Sequence, residues 1–148
     1  MTVVRYRLLS PSAKAPERMT DGAAGFDLYA SDAEALYLPG VSALRRPVRF
    51  HTGVAFEIPE GFVGLVFPRS SVCRTSMRLS NCVGVIDSDY RGEVSLVFDR
   101  TQTGREAYRA GDRVGQIVFV KLPEVELEQA EELSETERGD GGYGSTGR

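Results

Sequence analysis

The chain's 148 residues are 41% hydrophobic and 26% charged, a composition that fits one globular domain with a core of its own. A formal charge of -3 supplies no general attraction to nucleic acid, and no run of about 18 apolar residues is present to span a bilayer. The opening "MTVVRYRLLS" lacks the basic-then-apolar plan of a secretory signal, so a cytoplasmic protein is expected, with neither nucleic acid nor membrane as partner.

Short apolar stretches follow one another, rich in β-branched and aromatic residues and separated by Gly, Pro, Asp and Ser: "VVRYRLL", "AAGFDLYA", "ALYLPG", "VRFHTGVAFEIPEG", "FVGLVFP", "CVGVID", "EVSLVF" and "RVGQIVFVKL". Such spacing predicts an antiparallel all-β barrel or sandwich, with hairpin turns at "PEG" and "DSDYRG". Between these strands, "RSSVCRTSM" from Arg69 to Met77 offers Ser70 or Ser71 as the N-cap of a short helix. Cys73 and Cys82 have neither zinc nor redox-motif spacing and read as small buried hydrophobes. The single histidine, His51, falls on a predicted strand and reads as structural, so a histidine general base is not expected.

After the last strand comes an acidic stretch in which Val125 and Leu127 alternate with Glu124, Glu126 and Glu128, as in a further strand. The final "RGDGGYGSTGR" holds Gly139, Gly141, Gly142, Gly144 and Gly147, whose ordering is entropically costly, so residues 1–137 read as the folded domain and 138–148 as a mobile arm. Such an arm is either a frayed end or a ligand clasp. For the clasp speak the planar donors of Arg138, the ring of Tyr143 and the hydroxyls of Ser145 and Thr146, a set that suits a nucleotide polyphosphate.

Three further stretches can carry chemistry. In "PRSSV" a strand leads into a helix start at Arg69, Ser70 and Ser71, pointing N–H groups and hydroxyls at an anion, although a capped helix with a surface arginine has the same sequence. In "GVIDSDYRGEV" a solvated turn accounts for Asp89, whereas the apolar approach delivers Asp87 to a barrel mouth, where a carboxylate can orient a water and take its proton. Tyr90 could lay its ring against a sugar or base. Asp27 is either a solvent-facing strand aspartate or a carboxylate near a magnesium shell, and Gln116 is an amide in an apolar strand that needs a partner.

Taken in order, "AGFDLYA", "PRSS", "NCVGVIDSDYRGEV", "GDRVGQIVF" and "RGDGGYGSTG" resemble the five motifs of the trimeric dUTPases, and the likeness covers nearly the whole chain. The resemblance implies a jelly-roll-like β-barrel with one short helix, assembled as a homotrimer whose active sites each draw on three chains. It implies hydrolysis of dUTP to dUMP and pyrophosphate by water attack on the α-phosphorus. That reaction keeps uracil out of DNA and supplies dUMP for thymidylate synthesis. Mg²⁺ would be held mainly by the triphosphate and reached by Asp27 through water.

By the same likeness Asp87 would be the base. Uracil would sit between Asn81 and Ser95, bonded near Gly84, Val85 and Ile86 and by Asn81 and Ser95, with Tyr90 under the deoxyribose. Arg69, Ser70 and Ser71 would hold the phosphates, and Gln116 would place the α-phosphate or the water. The arm would close with Tyr143 over uracil and Arg138, Gly144, Ser145 and Thr146 on the outer phosphates. The chain departs from the family pattern at Ser71, where glycine is common, at Gly115 in place of alanine, at Tyr143 in place of phenylalanine, and in a short linker from Arg69 to Asn81. Two other readings stay open: a dCTP deaminase of the same fold, for which Glu93 is the available glutamate, and a nucleotide-sensing or protein-binding module.

Overall fold

The computed structural model describes residues 1–101 and 106–142. Among the described residues, nine strands form two antiparallel sheets: β1 Arg5–Leu8, β2 Phe26–Tyr29, β3 Asp32–Ala35, β4 Val48–Glu57, β5 Phe62–Phe67, β6 Met77–Leu79, β7 Gly84–Ile86, β8 Glu93–Arg100 and β9 Arg113–Lys121. One sheet runs β1-β4-β8-β6 with β3 added beside β4, and the other runs β2-β9-β5-β7. Along β8 the pattern is period two: Val94, Leu96 and Phe98 point inward and are buried, while Glu93, Ser95 and Val97 take the other face. Leu28, Phe50, Val54, Val114 and Ile117 meet these inward residues to fill the space between the sheets. The Phe50 and Phe98 rings stand edge to face at 5.8 Å, an arrangement that adds to their burial.

Several sequence expectations change here. The only helical pieces among the described residues are two 3₁₀ turns, Ala43–Arg45 and Ser70–Arg74. The second takes extended Arg69, not Ser70 or Ser71, at its N-cap, and no side chain caps it. The short linker leaves room for one tight turn and then β6, a strand that the apolar pattern did not mark. "ALYLPG" contributes only its first residue to β3. Val125 and Leu127 are exposed on a stretch without strand pairing, because alternation alone supplies no ladder partner.

Both cysteines are exposed. Cys73 sits in a 3₁₀ turn that buries nothing, and Cys82 in a surface turn with a left-handed φ of 61°, so their apolar character has no core to enter. Nor are "PEG" and "DSDYRG" ladder hairpins. The first joins β4 to β5 and the second joins β7 to β8, and each crosses from one sheet to the other.

Candidate active site

That second crossing makes a slot. β7 is an edge strand that pairs only with β5, and β8 pairs with β4 and, through its last three residues, with β6. The facing parts of β7 and β8 therefore diverge and enclose a cavity of about 270 Å³ lined by Asn81, Gly84, Val85, Ile86, Ser95 and Leu96, among others. Five of those six are residues that the resemblance assigned to uracil. Gly84 brings the wall close, since a Cβ there would stand 3.2 Å from the Cβ of Val66. Asp87 follows Ile86 directly and is exposed. A larger apolar cavity of about 470 Å³ lies under residues 1–4, against Phe26, Phe56, Phe62 and Phe119, and no predicted site residue lines it. The smaller slot is the one lined by the predicted site residues and is the candidate binding site.

Tyr90 turns back over its own loop. Its N–H donates to the Asp87 carbonyl at 3.2 Å and its hydroxyl to the Glu93 carbonyl at 3.0 Å. The ring lies where a side chain on Gly92 would collide with it. Glu93 is fully engaged: Oε1 accepts from the Gly53 N–H at 2.6 Å and Oε2 lies 2.9 Å from His51 Nδ1. That hydrogen bond outweighs the opposing effect of burial and raises the His51 pKa above its ordinary 6.5, with Glu34 adding to the rise.

At the far end of β5 three other motifs converge. Asp27 pairs with Gln116 across β2 and β9, and Phe67 pairs with Gln116 across β5 and β9. Gln116 Nε2 donates to the Pro68 carbonyl at 3.4 Å, and Arg69 follows Pro68. Gly25 makes this crowding feasible, since a Cβ there would stand 3.1 Å from Gln116 Oε1. Asp27 is buried rather than solvent-facing, and its Oδ2 lies 3.2 Å from both Arg69 Nε and Arg113 Nη1. A buried carboxylate requires such counter-charges. Arg113 is the member of the cluster that sequence reasoning missed, and the only available signal was that any buried acid needs a cation.

The two groups are not neighbours within one chain. Ile86 lies opposite Gly64, whereas Arg69 stands past the other end of β5. At about 3.3 Å per strand residue, Asp87 and Arg69 are separated by on the order of 15–20 Å. Ser70 is exposed and Ser71 half-buried beside Arg69. Arg138, also exposed, donates from Nε to the Gly141 carbonyl at 2.9 Å in a tight turn at the start of the arm. Tyr143, Gly144, Ser145 and Thr146 lie outside the described residues.

The dUTPase family model matches residues 11–147. The chain belongs to the dUTPase family. A deoxyuridine 5'-triphosphate nucleotidohydrolase of Heliobacterium modesticaldum is 38% identical over 97% of this chain and 96% of its own length. One from Anaeromyxobacter sp. is 42% identical over 93% and 90%. Among solved structures, a point mutant of the Staphylococcus bacteriophage 80alpha dUTPase with dUpNHpp superposes with a TM-score of 0.82 at 28% identity, covering all of both chains. A mutant dUTPase from phage phi11 of S. aureus, described as revealing the coordination of a structural Mg(II) ion, reaches 0.72 at 26% identity over 88% of this chain and 98% of that one. Within the family's barrel, the Gly115 departure has a local cause: a Cβ there would strike Leu96 and stand 3.0 Å from the Phe67 carbonyl oxygen.

Proposed function

We infer that this dUTPase hydrolyses dUTP to dUMP and pyrophosphate. The observation that carries the reading is the slot between β7 and β8, walled by the edge of β7 turned away from β5 and the edge of β8 turned away from β4, and followed at once by Asp87. Unpaired edges of that kind offer donors and acceptors to a flat heterocycle such as uracil, and a narrow slot rejects the thymine methyl by crowding. Asn81 adds a side-chain amide and Ser95 a hydroxyl at the same walls.

In the reaction Asp87 takes a proton from a water as the water's oxygen bonds to the α-phosphorus and the bond to the pyrophosphate oxygen breaks. Arg69, Ser70 and Ser71 grip the phosphates, and Gln116 orients the α-phosphate or the water. Tyr90 backs the deoxyribose. Tyr143 covers the base while Arg138, Gly144, Ser145 and Thr146 close on the outer phosphates, excluding water and strengthening each charged contact.

No group of three or more His, Cys, Asp or Glu among the described residues could cage a metal, and Asp27 Oδ2 already faces two guanidinium groups. This donor set fits a Mg²⁺ carried in on the triphosphate, with the remaining Asp27 oxygen accepting from its water shell. When bound, Mg²⁺ neutralises charge on the phosphates. The separation of Asp87 from Arg69 supports a site completed by other copies of the chain, as a homotrimer with shared sites provides.

The deaminase alternative requires Glu93 to be free to serve a pyrimidine amino group, yet both of its oxygens are held by Gly53 and His51. A panel of dUTP, dTTP, UTP and dCTP with Mg²⁺, scored for pyrophosphate and ammonia, tests the reading. Pyrophosphate from dUTP alone is expected, and ammonia from dCTP would overturn it.

A further inference from the structure

The contacts around Tyr90 lead beyond the motif itself. Tyr90 is 44% exposed, so packing does not fix its ring. Its pose rests on the open space above Gly92 and on the hydrogen bond from its hydroxyl to the Glu93 carbonyl. What fixes that carbonyl is not the ladder alone. Between His51 and Ala55 the register of β4 on β8 slips, and Gly53 at the slip has a left-handed φ of 66°. The bulge leaves the Gly53 N–H without a ladder acceptor, and the Glu93 side chain supplies one.

The second Glu93 oxygen meets His51 Nδ1, and His51 Nε2 lies 3.4 Å from Glu34 Oε1 on β3. Glu34 in turn takes a hydrogen bond from Arg49 Nη1 at 3.1 Å. Asp32, opposite His51 on β3, spends its Oδ1 on the Ala33 N–H. The charged groups facing His51 are thus Glu93 from β8 and Glu34 from β3, with Arg49 of its own strand behind Glu34. One carboxylate ties the end of the loop that carries Asp87 and Tyr90 to β4 at two points, and through His51 to Glu34 of β3.

We propose that Glu93 and His51 are a positioning pair that holds Tyr90 in the pose from which it separates deoxyribose from ribose, a role that rests on the dUTP-hydrolysis reading. Neither touches the nucleotide. Their effect is on discrimination: if the loop end drifts, the ring no longer closes the space that a 2′-hydroxyl would need.

The test compares kcat/KM for dUTP and UTP in wild-type protein, Glu93→Ala, Glu93→Gln and His51→Ala, each checked for folding by circular dichroism and for assembly by size. In Glu93→Ala the dUTP-to-UTP ratio is expected to fall about tenfold or more, and Glu93→Gln to recover much of it, because its amide oxygen still accepts from Gly53. His51→Ala falls between them. The ratio cancels the titration of the attacking base, so wild-type discrimination should weaken as pH rises through the His51 range while that of His51→Ala stays flat.

A merely structural role would lower the melting temperature and both activities in proportion. An unchanged ratio in folded Glu93→Ala overturns the proposal. Should that variant fail to fold, unchanged ratios in both Glu93→Gln and His51→Ala overturn it instead. Wild-type protein that releases no pyrophosphate from dUTP sinks the hydrolase reading first, and this proposal with it.

Discussion

At the scale of single residues, two aspartates do opposite work. Asp87 is exposed just past the end of a short strand, and among the described residues no side-chain hydrogen bond or ion pair occupies it, as its proposed role of taking a water's proton requires. Asp87→Asn should bind dUTP yet lose about 10²–10⁴-fold in kcat, because an amide cannot accept the water's proton; single-turnover kinetics beside a binding isotherm separate the two effects. Asp27 is buried and spent on holding Arg69 and Arg113. Asp27→Asn leaves two guanidinium groups facing each other and should cost about 1–3 kcal/mol in urea unfolding, a figure reduced because both arginines are partly open to water.

His51 sets a third expectation. Its folded pKa is raised, so its contribution to stability is complete below its unfolded value near 6.5 and is lost as pH rises through the higher folded value. The stability gap between wild type and His51→Ala, read from melting temperatures against pH, should therefore narrow toward alkaline pH.

At the scale of elements, β5 is the axis of the candidate site, with β7 and the slot beside Gly64, Leu65 and Val66 and β9 with Gln116 beside its last residue. Gly115 is what lets β9 lie against Leu96 of the other sheet. Gly115→Ala restores the family's usual residue but inserts a carbon into that contact, and should cost about 1–3 kcal/mol by chemical denaturation. Apolar stretches rich in β-branched and aromatic residues, set between Gly, Pro, Asp and Ser, made β4, β5, β8 and β9 legible in the sequence, because strands that wall a core must supply its apolar side chains. The parting of β7 from β8 was not legible, since a turn such as "DSDYRG" reads the same whether its flanks pair or diverge. Likewise the burial of Asp27 depends on which of 18 basic residues folds beside it, and no local pattern selects Arg113. The residues of the slot were recognisable from their motif, whereas the Glu93 and His51 contacts are tertiary and had no signature.

At the scale of the whole molecule, the shared-site proposal turns the distance between Asp87 and Arg69 into a question of assembly. If sites are shared, chains carrying Asp87→Asn and chains carrying Arg69→Ala, each nearly inactive alone, should regain a measurable fraction of activity when unfolded together and refolded as a mixture. A mixture as inactive as its parts would show that each site is built within one chain. Removing residues from Arg138 onward should leave the melting temperature within a few degrees while cutting turnover steeply, because the barrel core lies wholly before that point.

Were sites shared in this way, the same spacing along β5 would tie potency to abundance. A protomer drifting by itself would keep its fold and both halves of the candidate site, yet hold them apart. Dilution would silence such a molecule without melting it, and its specific activity would climb with concentration while its circular dichroism stood still.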